Sequence, residues 1–193
     1  MPRAKLFDEK EVLIKAMNLF WKKGYYDTSA QDLVDELGIS RSSLYDTFGG
    51  KKQLFEKAFQ LYRDKNLKAV SQLLESHKGV KDGFRALFEK AIEESKNDKE
   101  AKGCFVVNTT AELVPNDHSF LKDLQENQQK FVGTFRDYLK EGVENGQIPA
   151  DKELESIARL FYTFYSGLKI VSKVSFNEQE TLRTVDNLLS ILD

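Results

Sequence analysis

Apolar residues recur at helical spacing along almost the whole chain. Val12, Ala16, Leu19 and Phe20 mark one face of a helix over about Phe7 to Lys23. Asp8 and Glu11 read as its capping box, and Lys22, Lys23 and Gly24 as an end matched to the helix dipole. Ala30, Leu33, Val34 and Leu37 then fall at i, i+3, i+4 and i+7 behind a Thr28 to Gln31 capping box, and Gly38 closes that second helix. Gly38, Ile39 and Ser40 make a short turn. Ser40 caps a third helix in which Leu44 and Phe48 face inward, with Ile39 packed on Leu44 as a hydrophobic staple. A longer helix opens at Lys51 and carries Leu54, Phe55, Ala58, Tyr62, Ala69, Val70, Leu73 and Leu74 as far as Ser76. At ~1.5 Å per residue it spans about 39 Å, enough to link two domains. Beyond the break at His77 to Gly79 the pattern predicts helices near 80–97, 103–114, 117–145, 151–174 and 177–192, with Pro115 and Pro149 in the breaks. The expected fold class is all-α with about nine helices. Residues 1–50 form a helix-turn-helix unit, 51–76 a linking helix, and 77–193 a larger helical domain.

The third helix carries the chemistry. At 100° per residue Ser42 and Asp46 lie opposite Leu44, with Ser43 and Tyr45 on the flanks of the same outward arc. Arg41 sits in the first turn, where the helix dipole disfavours a cation, so an external anion such as phosphate explains it better than helix stability does. A short helix with hydroxyls near its start, one Arg and one Tyr suits the major groove of double-stranded DNA. Gly49, Gly50, Lys51 and Lys52 open the next helix, whose free N–H groups and lysines offer a further phosphate site. On spacing alone, a generic helical hairpin with a solvated charged face also accounts for these features.

Phe20, Gly24, Thr28, Ser29, Leu33, Gly38, Ile39, Ser40, Arg41, Leu44, Tyr45, Phe48, Lys51 and Leu54 stand at the spacings of the amino-terminal domain of the TetR/AcrR family of bacterial transcriptional repressors. The resemblance covers four helices and the loops between them. It implies that Ser29 and Lys51 hold backbone phosphates, that Arg41, Ser42, Ser43 and Tyr45 meet bases or phosphates, and that Thr28 joins the same surface. Thr47 departs from the pattern, since many members carry His or Tyr there and Thr reaches less far. Asp46 on the outward arc either accepts from a cytosine amino group or repels phosphate.

With 193 residues, 40% hydrophobic and 31% charged, the chain has the composition of a soluble globular protein, and only three prolines fit a helical one. It has no apolar run long enough for a bilayer and no signal-peptide pattern, so no membrane partner and a cytoplasmic location are expected. A net charge of -2 argues at first against nucleic acid. Residues 1–68, however, hold 13 Lys and Arg against 10 Asp and Glu, and the remainder 16 against 21. The basic excess falls in the helix-turn-helix half. Arg3 and Lys5 precede it, either as a basic arm for a minor groove or as a solvated terminus.

Phe84, Phe88, Phe105, Phe120, Phe131, Phe135, Phe161, Phe164 and Phe176, with Tyr138, Tyr162 and Tyr165, crowd the second half of the chain. Aromatics at helical spacing are core in the first instance, yet several would line any pocket the domain has. The candidate ligand-binding set is Phe84, Phe88, Phe105, Asn108, Gln128, Phe131, Phe135, Tyr162 and Tyr165, with Thr109 and Thr110 as further polar groups. Cys104 is the only cysteine, which excludes a disulfide within the chain and leaves a buried inert thiol or an electrophile and redox sensor. Period-3.5 seams run through Ile157, Leu160, Phe161, Phe164, Leu168 and Val171, and through Leu182, Val185, Leu188, Leu189 and Leu192. The resemblance implies that these two helices pair with their copies in a homodimer, through Phe161, Phe164, Leu168, Val171, Val185, Leu188 and Leu189. An intramolecular core is the other reading.

His77, His118 and one cysteine give no nucleophile-base or metal-ligand constellation, so neither an enzyme nor a cofactor or metal site is expected. The expected function is a regulator, a repressor that leaves a pseudo-palindromic operator when a small apolar or aromatic effector binds. A thiol-based sensor acting through Cys104, and a helical structural or interaction dimer without DNA, are the alternatives at this point.

Overall fold

The computed structural model describes residues 7–174 and 177–193. Arg3, Lys5 and Phe176 lie outside them. Nine α-helices and no strand occur among the described residues: α1 Glu9–Lys23, α2 Ala30–Leu37, α3 Arg41–Phe48, α4 Lys51–Glu75, α5 Val80–Asn97, α6 Phe105–Leu113, α7 Leu121–Glu144, α8 Leu154–Val171 and α9 Glu178–Leu189. A 3-10 turn, His118–Phe120, leads into α7, and another, Ser190–Leu192, follows α9.

Local chemistry accounts for most of the boundaries. Asp8 caps α1 by accepting from the N–H of Lys10 at 2.7 Å. Only half of the expected box forms, because Glu11 turns to Lys15 at 3.1 Å. Met17 joins Val12, Ala16 and Phe20 on the buried face, and Leu19 packs at its edge. For α2 the capping box sits one residue later than expected. Ser29 is the N-cap and Asp32 the reciprocal acceptor, while the Gln31 amide donates instead to Asp35. The cause lies at the end of α1, where the Thr28 hydroxyl is drawn inward to the Gly24 carbonyl at 2.6 Å.

Two hydrophobic cores divide the molecule, and they do not follow chain order. The first joins α1, α2, α3 and the opening half of α4 to Cys104, Phe105, Val106, Leu113, Phe120 and Leu124. Hence α6 and the start of α7 pack on the helix-turn-helix unit. The second core gathers Val70 and Leu74 of α4 with the buried faces of α5, α7, α8 and α9. Between the two, α4 buries Arg63, whose guanidinium donates to Asp123 of α7 at 2.8 Å. A buried cation stripped of its partner would be costly, so this pair pins the strut to α7 where it passes from one core to the other.

Candidate nucleic-acid interface and cavity

The turn between α2 and α3 is built from three residues with separate tasks. Gly38 takes the left-handed conformation, φ 65 and ψ 29, and its N–H returns to the Val34 carbonyl. Ile39 is buried, and the Ser40 hydroxyl accepts from the Ser43 N–H at 3.1 Å. Leu44 and Phe48 therefore face the first core, which leaves Arg41, Ser42, Tyr45 and Asp46 exposed on one arc with Ser43 and Thr47 half-buried beside them. Tyr45 is 53% exposed although it is a large aromatic, and its ring lies along the backbone of Gly50. A Cβ on Gly50, whose φ is +110, would stand 3.0 Å from that ring. The backbone angle favours glycine here, and the missing Cβ spares the Tyr45 ring a tight contact.

The flanking candidates differ in what they have free. Thr28, expected on the DNA surface, is fully buried with its hydroxyl engaged by Gly24, so it shapes the loop and offers no donor to phosphate. Ser29 is exposed at the α2 N-terminus. The Lys51 ammonium lies 4.5 Å above the Tyr25 ring, half-buried, and burial lowers its pKa from the ordinary 10.5 against the raising pull of Glu112. Lys52 donates to the Ser119 hydroxyl at 3.2 Å.

Glu112 was not among the expected site residues. From α6 its carboxylate accepts the backbone N–H groups of Tyr25 at 3.0 Å and Tyr26 at 2.7 Å, clamping the loop that leads into α2. No local pattern links residues so far apart in sequence.

A cleft of about 600 Å3 opens where α1, α4, α5, α8 and the segment before α6 meet. Trp21 of α1 and Tyr62 of α4 form one wall, Tyr165 and Lys169 of α8 another, with Cys104 between and Glu94 at the α5 side. Gly103 organises this corner. Its φ is +62, a Cβ would stand 2.9 Å from the Lys169 carbonyl, its N–H donates to Asp98 at 2.7 Å, and its carbonyl accepts from the Trp21 indole at 3.1 Å. Lys169 is buried and donates to Glu94 at 2.5 Å, with the Tyr165 ring 5.6 Å from its ammonium. The Tyr62 hydroxyl donates to Cys104 Sγ at 3.7 Å, and burial holds the pKa of Tyr62 and of Tyr165 above the ordinary phenolic value.

Of the expected ligand-binding residues, Tyr165 lines this cleft and the others lie elsewhere. Phe84, Phe88 and Phe135 are fully buried in the second core, where Phe84 meets Phe161 at 4.7 Å and Phe135 at 5.3 Å. Phe131 packs there too, 5.8 Å from Tyr162, which borders only a void too small for a ligand. Phe105 belongs to the first core, against Phe55, Phe59 and Tyr62. Both ends of the Asn108 amide are engaged, by the Lys102 carbonyl and Lys173. Gln128 is exposed, because the buried stripe of α7 passes through Asn127 instead. Thr109 is buried, with no partner for its hydroxyl, and Thr110 is spent on the Val106 carbonyl. One signal for the missed Lys169 was present: it is a lone charge within the apolar run of α8, between Leu168 and Ile170.

On α8 and α9 the expected seam splits. Phe161, Val185 and Leu189 are fully buried within the single chain, and Leu168 nearly so, because α5 and α7 already cover them. Phe164 and Leu188 are partly covered. Leu160, Ile170, Val171 and Val174 remain exposed, Val171 at 59%, and Phe164, Gly167, Leu168 and Val171 line a surface groove of about 410 Å3 with the start of α9. No helix among the described residues is long and apolar enough to cross a membrane.

Comparison with known proteins agrees with this architecture. Residues 12–58 match the family model of bacterial regulatory proteins of the tetR family, and residues 81–187 match that of the tetracyclin repressor-like C-terminal domain. The HTH-type transcriptional regulator YezE of Bacillus subtilis (strain 168) is 31% identical over the full length of both chains. The HTH-type transcriptional repressor ComR of Escherichia coli (strain K12) is 27% identical over 98% of this chain and 90% of its own. Among solved structures, a cysteine-substituted TetR family regulator CifR complexed with 26bp double-strand operator DNA superimposes with a TM-score of 0.88 at 25% identity, covering 99% of this chain and 100% of that one. The protein is thus a TetR-family DNA-binding transcriptional regulator and not an enzyme.

Proposed function

We propose that this chain is a homodimeric repressor that leaves a pseudo-palindromic operator when a small molecule enters the cleft beside Trp21. The observation that carries this reading is the position of that cleft. Its wall includes α1 of the helix-turn-helix unit, the Gly103 peptide at the head of α6, and α8, whose outer face is apolar and exposed. A ligand there touches the DNA-reading and the subunit-pairing halves at once. Binding that favours one arrangement of those helices changes the spacing between the recognition helices of a dimer, and so the fit to two half-sites. The repressor name of ComR supports repression, and the operator complex of CifR supports binding to operator DNA. The exposed apolar strip on α8 and the groove beside it support a two-fold partner.

Selection of bound sequences from random duplexes by the purified protein, repeated with a panel of small molecules, tests the reading. A palindromic consensus that is released by some panel members is expected. Uniform weak binding to all duplexes would overturn it. A second reading, thiol sensing, is favoured by one observation: Cys104 stands in the cleft wall, where a reactive ligand would meet it.

A further inference from the structure

The ion pair in the cleft is lopsided. Lys169 is buried, with 9% of its side chain exposed, whereas 52% of the Glu94 side chain is exposed. The two partners therefore cannot be exchanged with equal ease. A cationic ligand that captured Glu94 would strand a buried ammonium, which is strongly unfavourable; of the other carboxylates that line the cleft, Asp98 already accepts from the Gly103 N–H and Glu93 is exposed to water. An anionic ligand that took the place of Glu94 would leave Lys169 paired, and the displaced carboxylate would return to water at little cost. The aromatic faces point the same way. The Lys169 ammonium lies 5.6 Å from the Tyr165 ring and that of Lys102 5.0 Å from the Trp21 ring, so resident cations already occupy the positions over both rings.

We infer that the cleft is a site for an amphipathic organic monoanion, its anionic group on Lys169 and its apolar body against Trp21, Tyr62 and Tyr165. This deepens the proposed effector site and rests on it for its regulatory meaning. It narrows the small apolar or aromatic effector expected from the sequence to one that also carries an anionic group.

Three probes of one ring system and different charge, naphthoate, naphthamide and naphthylmethylammonium, are titrated calorimetrically into the purified full-length protein. Naphthoate is expected to bind about tenfold more tightly than the amide, the size of one charge-assisted hydrogen bond, and the ammonium least well. Lys169→Gln should abolish that preference. Glu94→Gln should tighten naphthoate binding severalfold by neutralising the resident competitor, whereas a pair with a merely structural role predicts weaker binding or none. Thermal melting of each variant shows that it is folded, and the Glu94 variant carries the test if the Lys169 variant is not. Equal or tighter binding of the ammonium, no naphthoate binding, or loosened binding in Glu94→Gln would overturn the assignment. Operator binding without any probe is measured separately. It can succeed while the anion preference fails, which separates this inference from the repressor reading.

Discussion

Glu112 on α6 holds the backbone of Tyr25 in the loop between α1 and α2, with its second oxygen on Tyr26. Since α6 begins at the cleft and ends at this clamp, a shift of its first turn reaches the helix-turn-helix unit through a rigid element of nine residues. Glu112→Ala leaves two N–H groups without their charged acceptor and should cost about 2 kcal/mol of stability. Operator affinity is expected to fall about tenfold, read by fluorescence anisotropy, because the loop sets the angle of α2 and α3. Lower stability with unchanged affinity would confine Glu112 to a structural role.

Lys51 sits over Tyr25 at the start of α4. Replacement by Ala should weaken binding to every duplex and make the dependence of log K on log salt shallower by about 0.9 for each phosphate that is no longer neutralised. A slope identical to wild type would take Lys51 off the interface. Asp46→Asn on the exposed arc should raise non-specific affinity if the acid only repels phosphate, and relax specificity at one base pair if it accepts from cytosine.

Assembly is expected to depend on the exposed apolar residues of α8 and not on the buried half of the seam. Val171→Glu should give folded monomers by sedimentation, with operator binding abolished. Val185→Asp buries an unpaired charge in the second core and should cost about 3–5 kcal/mol, seen as unfolding and not as clean dissociation. Dimers that persist in Val171→Glu would move the interface elsewhere.

The Asp32 carboxyl lies well below its ordinary value of 3.8, held down by the Lys23 ammonium first and by the Ser29 hydroxyl and N–H next. A folded-state pKa below the unfolded one means that this contribution to stability is complete above about pH 4 and fades as pH falls further. Asp32→Asn should therefore melt at a lower temperature than wild type at neutral pH, and the gap should narrow below about pH 4. A gap that is constant with pH would show that the capping geometry, and not the charge, matters at this position.

Cys104→Ser tests the thiol reading. Reversible ligand binding predicts that the variant still releases DNA when effector is added, since the Tyr62 hydroxyl can donate to an oxygen as it does to Sγ. A variant that binds DNA normally yet ignores electrophiles that release the wild type would establish Cys104 as the sensor.

Much of the fold was legible in the sequence because its causes are local. Glycine at positive φ, Ser40 as a cap and apolar residues every three or four positions determine where each helix starts, stops and faces. The exposed arc of α3 follows from 100° per residue once Leu44 and Phe48 are inside. What periodicity cannot say is which buried face meets which. Phe105 and Phe84 look alike in sequence, yet one packs on the recognition domain and the other inside the carboxy-terminal bundle. The same limit hid the Thr28 hydroxyl under Gly24, the covering of Val185 by helices of the same chain, and the Glu112 clamp. It also hid the cleft, which exists because Gly103 lets the head of α6 approach α8 and sets Trp21, Tyr165 and Lys169 around one space. The walls of that space come from helices far apart in the chain, so only tertiary packing could bring an indole, a phenol and a buried ammonium together.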